Sequence, residues 1–279
     1  MKYKLIVFDL DGTLLREDGS ITSRTVEYIN KLKKNQFDVI IATGRSYYHA
    51  KKLIEPLKQD MIILSNNGSI ARHTSNDEII FANYLDRHKT IDVIKEAKKK
   101  ILSPILHVDK YENGYDLLIE EESESKNYSG YVSNKEGRYR RIEFENDRLD
   151  KVLAVCFAGD FYELENFRSK IKKKYPGIYN SFTSKNLRVR GLLEFLDLKG
   201  CKWEGVLRYA KSKGIEKEQI ISLGDDNNDI ELIKKSAIGI AMKNGTNEIK
   251  LAADLVAYEN NNNDGAVKVL EKIFKLEND

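Results

Sequence analysis

Three short apolar runs in the first third of the chain, Leu5-Ile6-Val7-Phe8, Phe37-Asp38-Val39-Ile40-Ile41-Ala42 and Met61-Ile62-Ile63-Leu64, each stop abruptly at polar residues. Their length and β-branched content make them strands buried on both faces. Between the first two lies a stretch with Val26, Ile29 and Leu32 near helical spacing, with Ser23 as its expected N-cap and lysines at its far end. A second helical stretch follows Thr43-Gly44-Arg45-Ser46 and reaches about Leu57, and Ser65-Asn66-Asn67-Gly68 closes the third run. Three units of strand, polar tip and crossover predict an α/β fold around a parallel sheet, whose ligands gather at the carboxyl ends of the strands.

The rhythm breaks between about Ala82 and Arg190. A helical stretch with Ile91, Ile94, Ala97 and Ile101 leads to Pro104–Val108 and Tyr115–Ile119, and a polar segment from Glu120 to Glu136 has no period. Val152–Phe157 reads as a strand, followed by a helix with Leu164, Phe167 and Ile171 and by short strands near Tyr179 to Val189. The parallel pattern then returns with the apolar run Leu192–Leu196, a helix opened by Lys199-Gly200, strands at Ile220–Leu223, Ile238–Ala241 and Leu255-Val256, and a closing amphipathic helix from Ala266 to Leu276. The expected organisation is a Rossmann-like parallel-sheet core domain built from residues 1–82 and 190–279, interrupted by an inserted α+β domain over 83–189.

With 279 residues, 41% of them hydrophobic, the chain has material for two cores. Its 47 basic and 44 acidic side chains nearly balance, which gives no reason to expect nucleic acid as a partner. No stretch approaches a membrane span, and the opening apolar run is too short and too soon acidic for a signal peptide; the expected location is cytoplasmic. Cys156 and Cys201 stand far apart, which indicates neither a disulfide framework nor a thiolate metal site. Nothing in the sequence sets an oligomeric state.

The first strand ends at Asp9-Leu10-Asp11-Gly12-Thr13. If the extended backbone persists, Asp9 and Asp11 project to one side and Gly12 lets the chain turn away. Two like charges in one small site require either a shared proton or a shared cation, and Mg²⁺ suits all-oxygen ligands. One carboxylate would then be free to attack phosphorus while the other shuttles a proton. An aspartate-rich turn accounts for the same residues equally well. A second acidic cluster, Gly224-Asp225-Asp226-Asn227-Asn228-Asp229, follows another strand and sets Asp225 and Asp229 one helical turn apart. Alone it is a helix start with acidic first-turn residues; beside Asp9 and Asp11 it is a candidate metal site. Thr43-Gly44 opens a helix where a hydroxyl and free N–H groups can hold phosphoryl oxygens, although such turns are common.

Together these segments resemble the haloacid dehalogenase-like phosphohydrolases, in particular their Cof-type members. Asp9–Thr13 resembles the first motif of that family, D-x-D-G-T, and Gly224–Asp229 its fourth, G-D-x-x-N-D; Ser65–Gly68, Ile240–Asn244 and Asn263–Ala266 resemble further family segments, while Ile230-Glu231-Leu232 and Gly245 depart from the usual pattern. The resemblance implies that Asp9 is nucleophile and metal ligand, and that Asp11 is the acid/base and lends Mg²⁺ its main-chain carbonyl. It implies metal ligation by Asp225 with support from Asp229, and phosphate binding by Thr43, Lys199 and Asn228, with Leu10 and Gly44 beside them. The insert resembles a type IIB cap, which would set specificity. The activity implied is Mg²⁺-dependent hydrolysis of a small phosphorylated metabolite, a sugar phosphate above all, through an aspartyl-phosphate. Alternatives are a phosphosugar phosphotransferase or mutase, or a non-hydrolysing regulator on the same fold.

Overall fold

The computed structural model describes residues 2–121, 131–132, 137–146, 148–184 and 190–274. Most of the aperiodic segment 120–136, the stretch 185–189 and the expected helix end at Leu276 lie outside the described residues. The chain divides into two compact units, Met1–Phe81 with Lys202–Asp279, and Ala82–Cys201.

In chain order the first unit contains β1 (Leu5–Phe8), α1 (Ser23–Lys34), β2 (Asp38–Ala42), α2 (Tyr47–Leu53), β3 (Ile62–Ser65), β4 (Ile70–His73) and β5 (Ile79–Ala82). The insert contributes α3 (Arg87–Lys98), β6 (Ile105–Val108), β7 (Leu117–Glu120), β8 (Tyr139–Ile142), β9 (Val152–Ala158), α4 (Phe161–Lys174), β10 (Tyr179–Ser184) and β11 (Leu192–Asp197). The first unit resumes with α5 (Lys202–Ser212), β12 (Ile220–Gly224), α6 (Ile230–Lys235), β13 (Ile238–Ala241), α7 (Asn247–Ala252), β14 (Leu255–Val256) and α8 (Gly265–Ile273).

The first sheet has the order β14-β13-β12-β1-β2-β3-β4-β5. All four side chains of β1 are fully buried, each contributing about 1.5–3 kcal/mol through loss of apolar surface from water. β1 runs parallel to both β2 and β12, with Phe8 opposite Ile41 on one side and Leu223 on the other. The chain leaves β1 toward β2 and returns to the other flank of β1 only after the insert, so the order reverses there. A parallel sheet opens a crevice at that point, beyond the carboxyl ends of its strands. The residues just past β1 and β12 are therefore neighbours, although they are over two hundred positions apart.

Three expectations are corrected. Ser65–Gly68 is not the tip of a crossover: β4 runs back antiparallel to β3, with Ser65 opposite Ile70. Asn66, Asn67 and Gly68 have φ of 49°, 53° and 80°, and three successive left-handed residues reverse the chain. Helix α1 is capped by Thr22 rather than Ser23, with the Thr22 side chain accepting the Thr25 N–H at 3.1 Å. Leu192–Leu196 does not rejoin the first sheet. As β11 it pairs antiparallel with β9 and β10, so the return to the first unit comes at Lys202 rather than at 190.

The second unit is a six-stranded sheet of order β10-β11-β9-β6-β7-β8, antiparallel except where β7 and β8 run parallel. Strand alternation splits its apolar side chains between two faces. Val155, Phe157, Leu193 and Phe195 join Val93, Ile94 and Ala97 of α3 and Leu164, Phe167 and Ile171 of α4, whereas Ala154, Cys156 and Leu196 belong to a smaller cluster with Ile105 and Ile119. Phe157, Phe167 and Phe195 meet edge to face at 5.3–6.3 Å between ring centroids, a favoured aromatic geometry. Among the described residues no helix is long and apolar enough to cross a membrane.

Candidate active site

The ends of four strands, β1, β12, β2 and β3, supply the carboxyl edge of the first sheet. Asp9 continues β1 in extended conformation and donates its backbone N–H to the Leu223 carbonyl at 2.9 Å. The chain then makes a tight turn, closed by the Leu15 N–H on the Leu10 carbonyl, in which Gly12 has φ +69°. Glycine is needed here for space as well as for φ: a Cβ would stand 2.2 Å from Asp225 Oδ2. Thr13 donates its hydroxyl to Asp225 Oδ1 at 3.1 Å, and the Asn244 side-chain amide donates to the Gly12 carbonyl at 2.7 Å. Beyond β12, Gly224 leaves room for Asp229, whose Cβ and Cγ would otherwise lie 2.6 Å from an added methyl. Asp229 Oδ2 accepts the backbone N–H groups of Asp225 and Asp226, both at 3.2 Å, so the carboxylate also organises the turn that carries its neighbours.

The cation at the centre is Lys202. It begins α5, is buried, and places Nζ 2.6 Å from both Asp9 Oδ1 and Asp229 Oδ1. One ligand oxygen from each of Asp9, Asp225 and Asp229 lies within 4.8 Å of the others. Three carboxylates and one ammonium leave a formal charge of −2 in a largely buried space. Burial drives the Asp9 carboxyl well above its ordinary value, Lys202 opposes that, and Asp229, Asp225 and Asp11 add to it. Burial and Asp229 push Asp225 up to about 7, against the pull of Lys202 and Thr13. Burial alone would lower the Lys202 ammonium, but Asp229 and Asp9 together raise it, so it stays charged. Burial and mutual repulsion resist full ionisation of these carboxylates, and an oxygen-only donor set of this kind fits a hard divalent cation, whose charge would favour their ionised forms.

A second group of side chains lines the tips of β2 and β3. Thr43 is fully buried and accepts the Arg45 N–H on its hydroxyl at 3.1 Å. The hairpin beyond β3 ties back to this loop through Asn66 N–H to the Arg45 carbonyl and Asn67 N–H to the Thr43 carbonyl, both 2.9 Å. Asn228 donates its side-chain amide to Asn67 Oδ1 at 2.8 Å, and a Cβ on Gly44 would fall 3.3 Å from that oxygen. Leu10, Thr43, Gly44 and Asn228 therefore all belong to the first unit, and Gly44 and Asn228 meet at Asn67.

Two of the residues expected here stand differently. The Asp11 carboxylate is outside the acidic cluster: it is half-exposed and receives two hydrogen bonds from Arg45, Nε to Oδ2 at 2.7 Å and Nη2 to Oδ1 at 2.6 Å. Lys199 is exposed in the second unit, on the turn after β11, where its backbone N–H donates to Asp197 Oδ1 at 3.0 Å. The lysine that reaches the aspartates is Lys202. Its signal is helical phase: Lys202 lies four residues before Val206 and seven before Tyr209, both buried, which puts it on the inward stripe of α5. Arg45 and Asn67 are visible in the sequence only as parts of polar tips, without a pattern that separates them from solvated residues.

A family model described as haloacid dehalogenase-like hydrolase matches residues 6–270. The chain is 29% identical over 280 residues to a protein of Buchnera aphidicola subsp. Acyrthosiphon pisum provisionally named a phosphatase, covering 98% of this chain and 97% of the other. It is 27% identical over 273 residues to the 5-amino-6-(5-phospho-D-ribitylamino)uracil phosphatase YcsE of Bacillus subtilis, with 96% and 94% coverage. Among solved structures it superposes on a haloacid dehalogenase-like hydrolase from Bacteroides thetaiotaomicron with a TM-score of 0.78 at 26% identity, covering 98% of this chain and 100% of that one.

Proposed function

The chain belongs to the haloacid dehalogenase-like hydrolases and is a phosphatase, and on that premise we propose that it hydrolyses small phosphomonoesters with Mg²⁺ through an aspartyl-phosphate on Asp9. The observation that supports this reading most is the convergence of Asp9, Asp225, Asp229 and Lys202 in one buried cluster. Asp9, Asp225 and Asp229 would hold the ion, which when bound supplies positive charge facing the phosphoryl oxygens.

Asp9 is the nucleophile: one of its oxygens bonds to phosphorus as the ester bond breaks, and the leaving alkoxide takes a proton from Asp11. Asp11 then removes a proton from water, whose oxygen attacks phosphorus and releases Asp9 and inorganic phosphate. Lys202 holds Asp9 and Asp229 in place and offsets charge on the transferring group, together with Thr43, the N–H groups after Leu10 and Gly44, and the Asn228 amide. The substrates we favour are sugar phosphates and similar polyol phosphates; one relative's name records a phosphate carried on a ribityl chain. We assign choice of the non-phosphate part to the inserted unit, Ala82–Cys201, as a cap.

The test is phosphate release from a panel of esters with and without Mg²⁺, for native protein and Asp9→Asn. Native turnover should need Mg²⁺, and Asp9→Asn should lower it by at least about 10³-fold. Undiminished Mg²⁺-dependent release by Asp9→Asn would remove the nucleophile assignment. Transfer of the phosphoryl group to a second sugar hydroxyl instead of water would mark a phosphotransferase.

A further inference from the structure

The carboxylate assigned to proton transfer is the one that the buried cluster does not hold. Asp11 projects from a turn with φ −78° and ψ 130°, ahead of left-handed Gly12, and its side chain is 51% exposed. An aspartate so placed samples several χ1 wells unless something selects one. Arg45 selects one. Its guanidinium meets both carboxylate oxygens in a fork at 2.7 and 2.6 Å, a geometry that fixes orientation as well as distance.

The arginine is itself held. Its N–H donates to the Thr43 hydroxyl and its carbonyl accepts the Asn66 N–H, so both main-chain polar groups are tied to the tips of β2 and β3. β1 and β2 are adjacent and parallel, which brings a side chain three residues past β2 within reach of one three residues past β1. The result is a continuous run of hydrogen bonds from the tips of β2 and β3 through the Arg45 main chain and guanidinium to an otherwise rotatable carboxylate.

We propose that Arg45 is a positioning residue that keeps the Asp11 carboxyl facing the ester oxygen, one of its two hydrogen bonds giving way when an Asp11 oxygen carries the proton, and so determines how well this enzyme cleaves esters with poor leaving groups. The inference rests on Asp11 being the acid/base. An alkoxide cannot depart without a proton, whereas a nitrophenolate can, so loss of acid orientation falls selectively on alkyl phosphates. A group that only bound phosphate would serve both kinds of ester alike.

The experiment measures kcat/KM with Mg²⁺ for glucose 6-phosphate and p-nitrophenyl phosphate in native protein, Arg45→Gln, Arg45→Lys, Asp11→Asn and the Arg45→Gln/Asp11→Asn double variant. Arg45→Gln should lower kcat/KM about 10- to 100-fold on glucose 6-phosphate but about threefold or less on the nitrophenyl ester. Arg45→Lys, which keeps the charge but not the fork, should recover part of the loss. Once Asp11 is asparagine, Arg45→Gln should have little further effect, because the two act as one unit. Equal losses on both esters, or an undiminished loss in the Asp11→Asn background, overturns the positioning role. If Asp11→Asn itself fails to discriminate between the esters, the acid/base assignment falls and the Arg45 inference with it, a result distinguishable from the first because it appears without any change at Arg45.

Discussion

Asp9 meets Lys202 and Asp11 meets Arg45 at the same 2.6 Å, two residues apart in the chain, yet the two ion pairs sit in opposite surroundings. The first has side chains 7% and 1% exposed and a third partner, Asp229; the second has 51% and 38% exposure. In the low-dielectric interior neither Asp9 nor Lys202 can lose its partner without leaving a costly bare charge. At the surface, water stands in for either partner, and the pair contributes little stability. The proposed nucleophile and the charges around it thus occupy a site whose shape folding maintains. The proposed acid/base is oriented by an interaction weak enough to be rearranged as protons and substrates come and go.

Removing Lys202 should break this contrast most. Lys202→Met leaves Asp9 and Asp229 buried without their ammonium, and loss of one partner from a buried pair costs about 3–5 kcal/mol. Urea denaturation at neutral pH with a chelator present should show a loss of that order. A loss below about 1 kcal/mol would put this pair in the same class as a surface contact.

The acidic cluster also predicts a pH dependence opposite to that of an ordinary stabilising carboxylate. The folded Asp225 carboxyl is raised from 3.8 to about 7. Between those values the native state binds more protons than the unfolded chain, so stability falls as pH rises through that window; below it both states are protonated and the penalty is absent. Asp225→Asn cannot ionise, and in metal-free buffer its advantage over native protein should grow with pH from near zero at about pH 4 to a few kcal/mol, roughly 4 at most, near pH 7. Added Mg²⁺ should shrink that gain by supplying native protein with the missing positive charge.

The same division separates what is legible in the sequence from what is not. β1, β2 and β12 announce themselves as apolar runs with abrupt polar stops, and because a parallel sheet brings such stops to one edge, Asp9, Asp225 and Asp229 become candidates for a single site, to which the family resemblance then assigns them. Lys202 cannot be picked out of 47 basic residues by composition; only its phase on α5 marks it as inward-facing. Leu192–Leu196 reads as a core strand but belongs to the insert, because an apolar run carries no label for its sheet and pairing with β9 is a long-range property. The Asn66-Asn67-Gly68 turn is legible in principle, since such residues favour left-handed backbone, but the crossover rhythm of the two preceding units outweighs the local signal. Arg45 leaves no periodic trace, because a half-exposed side chain beyond a strand end obeys neither strand nor helix spacing.

The smallest effect expected is on the exposed pair's contribution to stability. Asp11→Asn removes the charge Arg45 meets but keeps the side chain's size, and half-exposed ion pairs of this kind are worth at most about 1 kcal/mol. Urea denaturation of Asp11→Asn and of Arg45→Gln should therefore give midpoints close to that of native protein, with the remaining difference fading as salt screens the pair. Their activities, by contrast, should differ sharply from native protein on alkyl phosphates. A pair that carries little of the fold's stability while governing turnover would separate orientation from folding at this site. A destabilisation of several kcal/mol from either substitution would show instead that the turn after β1 depends on Arg45 for its own structure, and would erase the distinction between the two ion pairs.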